Sequence, residues 1–473
     1  MKRIILALCL LLSFAVVATA ADLGKADPRR LVFRETDFSI PRADRVVLDC
    51  GTPVYLLRDT ELPLVNITVM VRTGSVYVPQ SKAGLAAVTG AVMRSGGAGG
   101  MAPEAVDQQL EFMASSVESA IGSDMGTVSM STLSRNLGRT LKIFGDMLFR
   151  PDFNAKRLEI ARKQLVEALR RQNDDPKSVG DREIVRAIYD GHPLGAVPTF
   201  ASVRAITRQD IISFHRRFYH PANMIVAVSG DFDKKTITKE LNAIFNAAAR
   251  VKPDALPQVA QPKADFAPEV VFAQKNVAQT VIRMGHLGID KNNPDLYAVR
   301  VLDYILGGGF TSRLMLEVRT NRGLAYHVGS HFDVGRRFTG SFIAETETKG
   351  ESTLRVIKLM QDIISGVKMA PVTDQELAAA KDYIINSFMF GFTTPASIVT
   401  QRARLEFYGY NADYLEKYRA GIAAVTKKDV QAAAVKYLRP EAFKLVVVGD
   451  AARFEKPLST QGTVKVLDLN GKM

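Results

Sequence analysis

Two hydrophobic rhythms alternate along the chain. Apolar residues at every second position mark strands in "RVVLDCGTPVYLLRD" (45–59) and "PLVNITVMVRTGS" (63–75), and again in "VVFAQKNVAQTVIRMGHLG" (270–288). Apolar residues three and four apart mark helices in "PEAVDQQLEFMASS" (103–116) and "FNAKRLEIARKQLVEALRRQ" (153–172). "KAGLAAVTGAVMRSGG" (82–97) predicts a further helix that runs into a glycine turn. The continuous apolar runs "MIVAVSGD" (224–231) and "KLVVVGD" (444–450) each follow a helix opened by Thr-x-x-Asp. Thr207 and Thr426 fit the N-cap position, and Asp210 and Asp429 suit the helix dipole better than a strict capping box, which uses Glu or Gln. Strands and helices mixed in this order predict an α+β fold, with a sheet on one side and helices on the other.

The pattern occurs twice. "TRQDIISFHRRFYHPANMIVAVSGD" (207–231) aligns without a gap on "TKKDVQAAAVKYLRPEAFKLVVVGD" (426–450), an offset of 219 positions. The same offset pairs Leu158 with Leu377, Pro176 with Pro395, Ser178 with Ser397 and Tyr189 with Tyr408. An ungapped register of that length is the signature of an internal duplication. Two homologous domains are therefore predicted, over 38–250 and 270–460. The proline-rich stretch "VKPDALPQVAQPKADFAPE" (251–269) joins them.

The start of the chain reads as an export signal. Lys2 and Arg3 precede an apolar run from Ile4 to Val17, and Ala18-Thr19-Ala20 supplies small residues for cleavage after Ala20. That run is shorter than the roughly twenty residues a bilayer span needs. The mature chain is thus expected in the periplasm or outside the cell, with no transmembrane segment. Of the two cysteines, cleavage leaves only Cys50, which excludes an intramolecular disulfide and reads as a half-buried residue at a strand turn. The net charge of +13 falls to +11 without Lys2 and Arg3. Its basic residues are scattered among acidic ones and not interleaved with aromatics, a pattern against nucleic-acid binding.

Taken in order, "LDCGTPVYLLRD", "AGLA", "GHPLG" (191–195), "FYHPANMIVAVSGD" (218–231) and "SRLMLEVRTNRGLAY" (312–326) resemble the M16 (insulinase- and pitrilysin-like) metallopeptidases, above all the processing-peptidase kind. That resemblance implies two homologous α+β domains per chain and a clam-like chamber where domains or subunits pair. It also implies a zinc motif, H-x-x-E-H, on the helix after "GLA". Two His at i and i+4 share a helix face and reach one ion, and the Glu between them acts as general base. In this sequence the two His positions hold Ala87 and Ala91, and the Glu position holds Gly90. The third ligand, a Glu on a later helix, would fall at Ala168, beside Glu167. This chain is therefore expected to bind no cofactor. Gly90, which costs a helix about 1 kcal/mol relative to Ala, calls for the close approach of another surface.

The second half keeps a different part of the pattern. Arg319 and Tyr326 flank an Asn-Arg-Gly turn between a helix and a strand. Taken alone they read as a solvated helix-end arginine and a tyrosine packed in the core. The resemblance implies that they reach across the chamber to a zinc site built elsewhere, Arg319 holding a substrate carbonyl or carboxylate and Tyr326 donating to the oxyanion. Gly307, Gly308 and Gly309 resemble the flexible glycine-rich, substrate-binding loop of the non-catalytic processing-peptidase subunit; on their own they are a turn. His327 and His331 lie four apart on a strand, so they point the same way about 13 Å apart at ~3.3 Å per residue and cannot share an ion. His215 and His220 have no acidic companion at useful spacing, and His192 sits in the "GHPLG" turn typical of the family resembled. The expectation is a non-catalytic subunit that completes the site of an M16 homologue bearing the zinc motif, in a heterodimer acting on peptides, with zinc in the partner. The alternative is a scaffold or peptide-binding protein without a role in hydrolysis.

Overall fold

The computed structural model describes residues 39–250 and 255–469. The export signal predicted over 1–20, and the first residues of the joining segment, lie outside the described residues. In the first half, β1 (Asp44–Val47), β2 (Pro53–Arg58), β3 (Leu64–Val71), β4 (Ser116–Ile121), β5 (Gly126–Leu133) and β6 (Met224–Gly230) form one sheet in the order β1-β2-β6-β3-β5-β4. In the second half, β7 (Glu269–Gln274), β8 (Gln279–Leu287), β9 (Ala325–Asp333), β10 (Ser341–Lys349), β11 (Lys444–Gly449) and β12 (Val464–Leu467) form another, ordered β12-β7-β11-β8-β10-β9.

The duplication is visible strand by strand. β7 to β11 occupy the places of β2 to β6, including the parallel pairs β2–β6 and β7–β11. Only the outermost strand differs. β1 precedes β2 and pairs with it antiparallel, whereas β12 comes from beyond the predicted boundary at 460 and pairs with β7 in parallel.

The helices that position the site are α1 (Leu85–Ser95), α2 (Ala155–Arg171), α3 (Pro176–Ile188), α4 (Arg208–Phe218), α5 (Leu296–Asp303), α6 (Pro395–Phe407) and α7 (Lys427–Tyr437). The helix predicted over 103–116 stops at Phe112, and Ser116 already belongs to β4. The caps of α4 and α7 go further than the sequence indicates. The Thr207 hydroxyl accepts from the Asp210 N–H at 3.2 Å, and Asp210 Oδ2 accepts from the Thr207 N–H at 2.7 Å. Thr426 and Asp429 repeat the arrangement at 3.2 and 2.9 Å. Aspartate is long enough to close a full capping box, which corrects the dipole-only expectation.

The expected layering, helices on one face of each sheet, holds for only one face. Along β6, Val226 and Val228 point into the first half's own core, while Ile225 and Ala227 face Val399, Ala403 and Phe407 of α6, which belongs to the second half. Along β11, Leu445 and Val447 point into the second core, while Val446 and Val448 face Val179, Ile184 and Ile188 of α3, from the first half. The two helices are duplicates in register: Ile184 corresponds to Ala403 and Ile188 to Phe407. Each half lends a helix to the back of the other's sheet. This explains why β6 and β11 are apolar at consecutive positions, because a strand covered on both faces has no wet side. Tyr189 and Tyr408, which close the two helices, each reach a hairpin of the opposite half, through Thr339 O at 3.1 Å and Asp124 Oδ1 at 3.2 Å.

The joining segment is pinned to the same interface. His192 of "GHPLG" holds Ala260 O at 2.9 Å with Nε2, and its Nδ1 accepts from the Leu194 N–H. Cys50 sits half-buried in the β1–β2 turn with its Sγ 3.3 Å from the Thr52 hydroxyl.

Candidate functional site

Helix α1 turns Leu85, Val88 and Val92 into the core and leaves Ala87 and Ala91, one turn apart, exposed on its outer face. Gly90 is buried beneath them. A Cβ there would stand 3.1 Å from the Ile121 N of β4, so the glycine permits the close approach that its presence in a helix suggests. Ala168 is exposed on α2, and its neighbour Glu167 is exposed and paired with Arg170. Three methyl groups and a hydrogen offer no donor atom to a metal ion, so these four positions do not fit zinc. Among the described residues no other group of three His, Cys, Asp or Glu side chains could hold one.

The second half does bring its predicted pair together. The chain from Met315 to Asn321 is wound as a π-helix, turns at Gly323 with φ +60°, and enters β9 at Ala325. This places the Arg319 guanidinium over the Tyr326 ring, 4.8 Å from its centroid. Tyr326 is 81% exposed, which corrects the reading of a core tyrosine. Among the described residues Arg319 makes no ion pair, and its nearest polar contact is the Met315 sulfur at 3.9 Å. A half-buried guanidinium stacked on an exposed phenol ring can hold a carbonyl oxygen presented from outside, and the phenol hydroxyl can donate to it.

Two of the three glycines lie in helical winding and the third, Gly309, in the bend that follows it. Gly307 and Gly308 end a second π-helix, Tyr304–Gly308, that continues α5 and packs on the outer edge of β9. A Cβ on Gly307 would lie 2.1 Å from the Ser330 N, and one on Gly309 would lie 2.6 Å from the Tyr304 ring. Close packing accounts for both. Asp303, at the head of this winding, accepts from the Phe332 N–H of β9 at 2.9 Å. Burial pushes the Asp303 carboxyl up to about 7, against the pull of Arg300 and of that hydrogen bond. Two exposed apolar side chains that precede Arg319 along the chain, Phe310 at 79% and Leu316 at 40% exposure, were not singled out by the sequence pattern. A phenylalanine directly after three glycines was the available signal.

The histidines have other work. His215 is buried against Leu148 O at 2.9 Å and stacked on Tyr219, and burial lowers it to about 4. His286 places Nδ1 on Leu287 O at 2.8 Å, while Nε2 accepts from the Arg439 N–H at 3.1 Å; burial lowers it to about 4 as well. His220 caps a turn through the Ala222 N–H. His327 and His331 are exposed on β9.

Comparison with known proteins agrees with this architecture. The family model described as "Insulinase (Peptidase family M16)" matches residues 54–198, and the one described as "Peptidase M16 inactive domain" matches 205–384. The chain belongs to the M16 peptidase family. An uncharacterized zinc protease of Mycobacterium bovis is 26% identical over 321 residues, which is 67% of this chain and 73% of that protein. Among solved structures, the peptidase M16 inactive domain from Pseudomonas fluorescens is similar with a TM-score of 0.80 and 27% identity, over 88% of this chain and 100% of that one. The periplasmic protease PqqL from Escherichia coli shares the fold with a TM-score of 0.72 at 14% identity, over 92% of this chain and 50% of that one. Among the described residues no helix is long and apolar enough to cross a membrane.

Proposed function

We propose that this chain is the non-catalytic subunit of a two-subunit periplasmic M16-type zinc peptidase, completing the site of a homologue that carries the H-x-x-E-H motif. The observation that carries this reading is the split between the halves. The helix face that would hold a metal is two exposed methyl groups at Ala87 and Ala91, while among the described residues Arg319 and Tyr326 are stacked without a carboxylate partner, Arg319 half-buried and the Tyr326 ring exposed. In this reading Arg319 holds a peptide carbonyl or terminal carboxylate, and Tyr326 donates its O–H to the oxyanion as the carbonyl carbon becomes tetrahedral.

A second reading keeps peptide binding and drops hydrolysis. β4 is the outermost strand of its sheet, beside α1, and Ser116, Glu118 and Ala120 are exposed along it. An extended peptide could add there as a further strand. The test is an affinity pull-down of the tagged mature chain from its own periplasm, with mass spectrometry and zinc analysis. A stoichiometric partner bearing H-x-x-E-H with about one zinc per pair supports the subunit reading. A zinc-free homodimer or lone monomer overturns it and leaves the peptide-binding one.

A further inference from the structure

A cleft of about 410 Å³ opens in the second half, away from Arg319 and Tyr326, where the end of β9 meets α5, α6 and the chain that follows α6. Arg300, Arg336 and Arg404 line it, with Asp333 the one carboxylate among its lining residues. None of the three guanidinium groups makes an ion pair among the described residues. Arg404 Nε is buried without a hydrogen-bond partner, and burial together with the nearby Arg336 charge lowers the Arg404 pKa. Arg300 reaches the Phe332 carbonyl at 3.4 Å and acts through its charge on the Asp303 carboxyl, which lies outside the cleft lining, and Arg336 lies over the Tyr408 ring at 5.4 Å.

Elsewhere the protein treats a buried arginine differently. Arg283 is met by Asp181 at 2.7 Å, Glu347 at 3.1 Å and Glu345 at 3.4 Å. Arg404 is half-buried without such a partner, which is costly, and the half-buried Arg300 and exposed Arg336 add like charge beside it. Against Asp333, the cleft keeps an excess of two positive charges. Its walls are aromatic: Tyr410 and Tyr414 pack with ring centroids 4.7 Å apart, and Phe388 stacks on Tyr418 at 5.2 Å. The volume is too large for a lone inorganic anion and falls in the lower range of small-molecule sites, roughly 300–1,000 Å³.

We propose that this cleft binds a small organic phosphate monoester, its dianionic head on Arg300, Arg336 and Arg404 and a flat apolar body against the tyrosines. Two negative charges match the uncompensated pair, and a planar guanidinium fork suits phosphate oxygens. Isothermal titration of the full mature chain with phenyl phosphate, inorganic phosphate and benzoate tests this. The expected result is saturable one-to-one binding of phenyl phosphate, tighter than of either other probe. Arg404→Gln and Arg336→Gln should each weaken it by roughly tenfold or more, the loss of a charge-assisted hydrogen bond. Arg355→Gln, exposed on another helix, should leave it unchanged. Arg336 is exposed and lies outside the buried cores, so Arg336→Gln decides the matter even if Arg404→Gln fails to fold. Absence of saturable binding, equal binding of benzoate, or full affinity in Arg336→Gln would overturn the proposal.

Discussion

The two halves share a sheet order, a capped helix before the central strand and a helix lent to the other's sheet, yet they differ wherever chemistry is expected. Among the positions repeated at the offset of 219 are those that build the interlock: Pro176 and Pro395 start the exchanged helices, and Tyr189 and Tyr408 end them. In the first half the outward face of α1 is blank. In the second, the equivalent region continues α5 as a π-helix against β9 and presents Arg319 and Tyr326. What the duplication holds in common is packing. What separates the halves is which surface still carries polar groups.

The largest effect should come from the shared part. Phe407→Ala removes a buried side chain of α6 from the back of the first sheet, and Ile184→Ala does the same for α3 on the second. Each should cost about 2–5 kcal/mol of stability in denaturant unfolding, and both halves should lose structure together. If one half melted alone, the interlock would not couple them.

A loss of similar size, on the order of 3 kcal/mol at most for each group, is expected from acid. His215 and His286 sit at about 4 in the fold, against the ordinary 6.5. An imidazole held neutral contributes its full stability above the unfolded value. That contribution is lost as pH falls from about 6.5 toward 4, since the unfolded chain takes up the proton first. His286 is the sharper case, because Nε2 accepts a hydrogen bond and a proton there would face the Arg439 N–H. Urea midpoints measured between pH 7.5 and 4.5 should fall, and His286→Gln should flatten that slope.

Two glycines distinguish the halves more finely. Gly307→Ala drives a Cβ into the Ser330 backbone and should cost about 1–3 kcal/mol or more. Gly90→Ala gains helix propensity of about 1 kcal/mol against a tight 3.1 Å contact with an outer strand, so its net effect on the melting temperature should be small. The smallest effect on stability belongs to Tyr326→Phe, within about 0.5 kcal/mol by chemical denaturation because its ring is open to solvent, with Arg319→Ala, half-buried over that ring, next at about 1 kcal/mol.

Much of this was legible in the sequence. The repeat, the α+β class and the strands could be read because packing imposes periods of two and of about 3.6 residues. The missing zinc donors could be read because a methyl group cannot ligate a metal. The exchange of α3 and α6 could not, although "MIVAVSGD" and "KLVVVGD" held the clue: a run without polar positions shows that both faces are covered, but not by which helix. Tyr326 was ambiguous for a related reason, since alternation in an outer strand does not say which face meets the core. Gly307 read as part of a loop because glycine permits both freedom and close approach, and only the neighbouring Ser330 decides between them.

The most direct test is peptidase activity of the chain reconstituted with a partner bearing H-x-x-E-H, comparing wild type with Arg319→Ala/Tyr326→Phe. The split-site account predicts a fall in kcat of about 100-fold, the scale of losing an oxyanion donor, with pair formation and zinc content unchanged. Undiminished activity in an intact pair would contradict it.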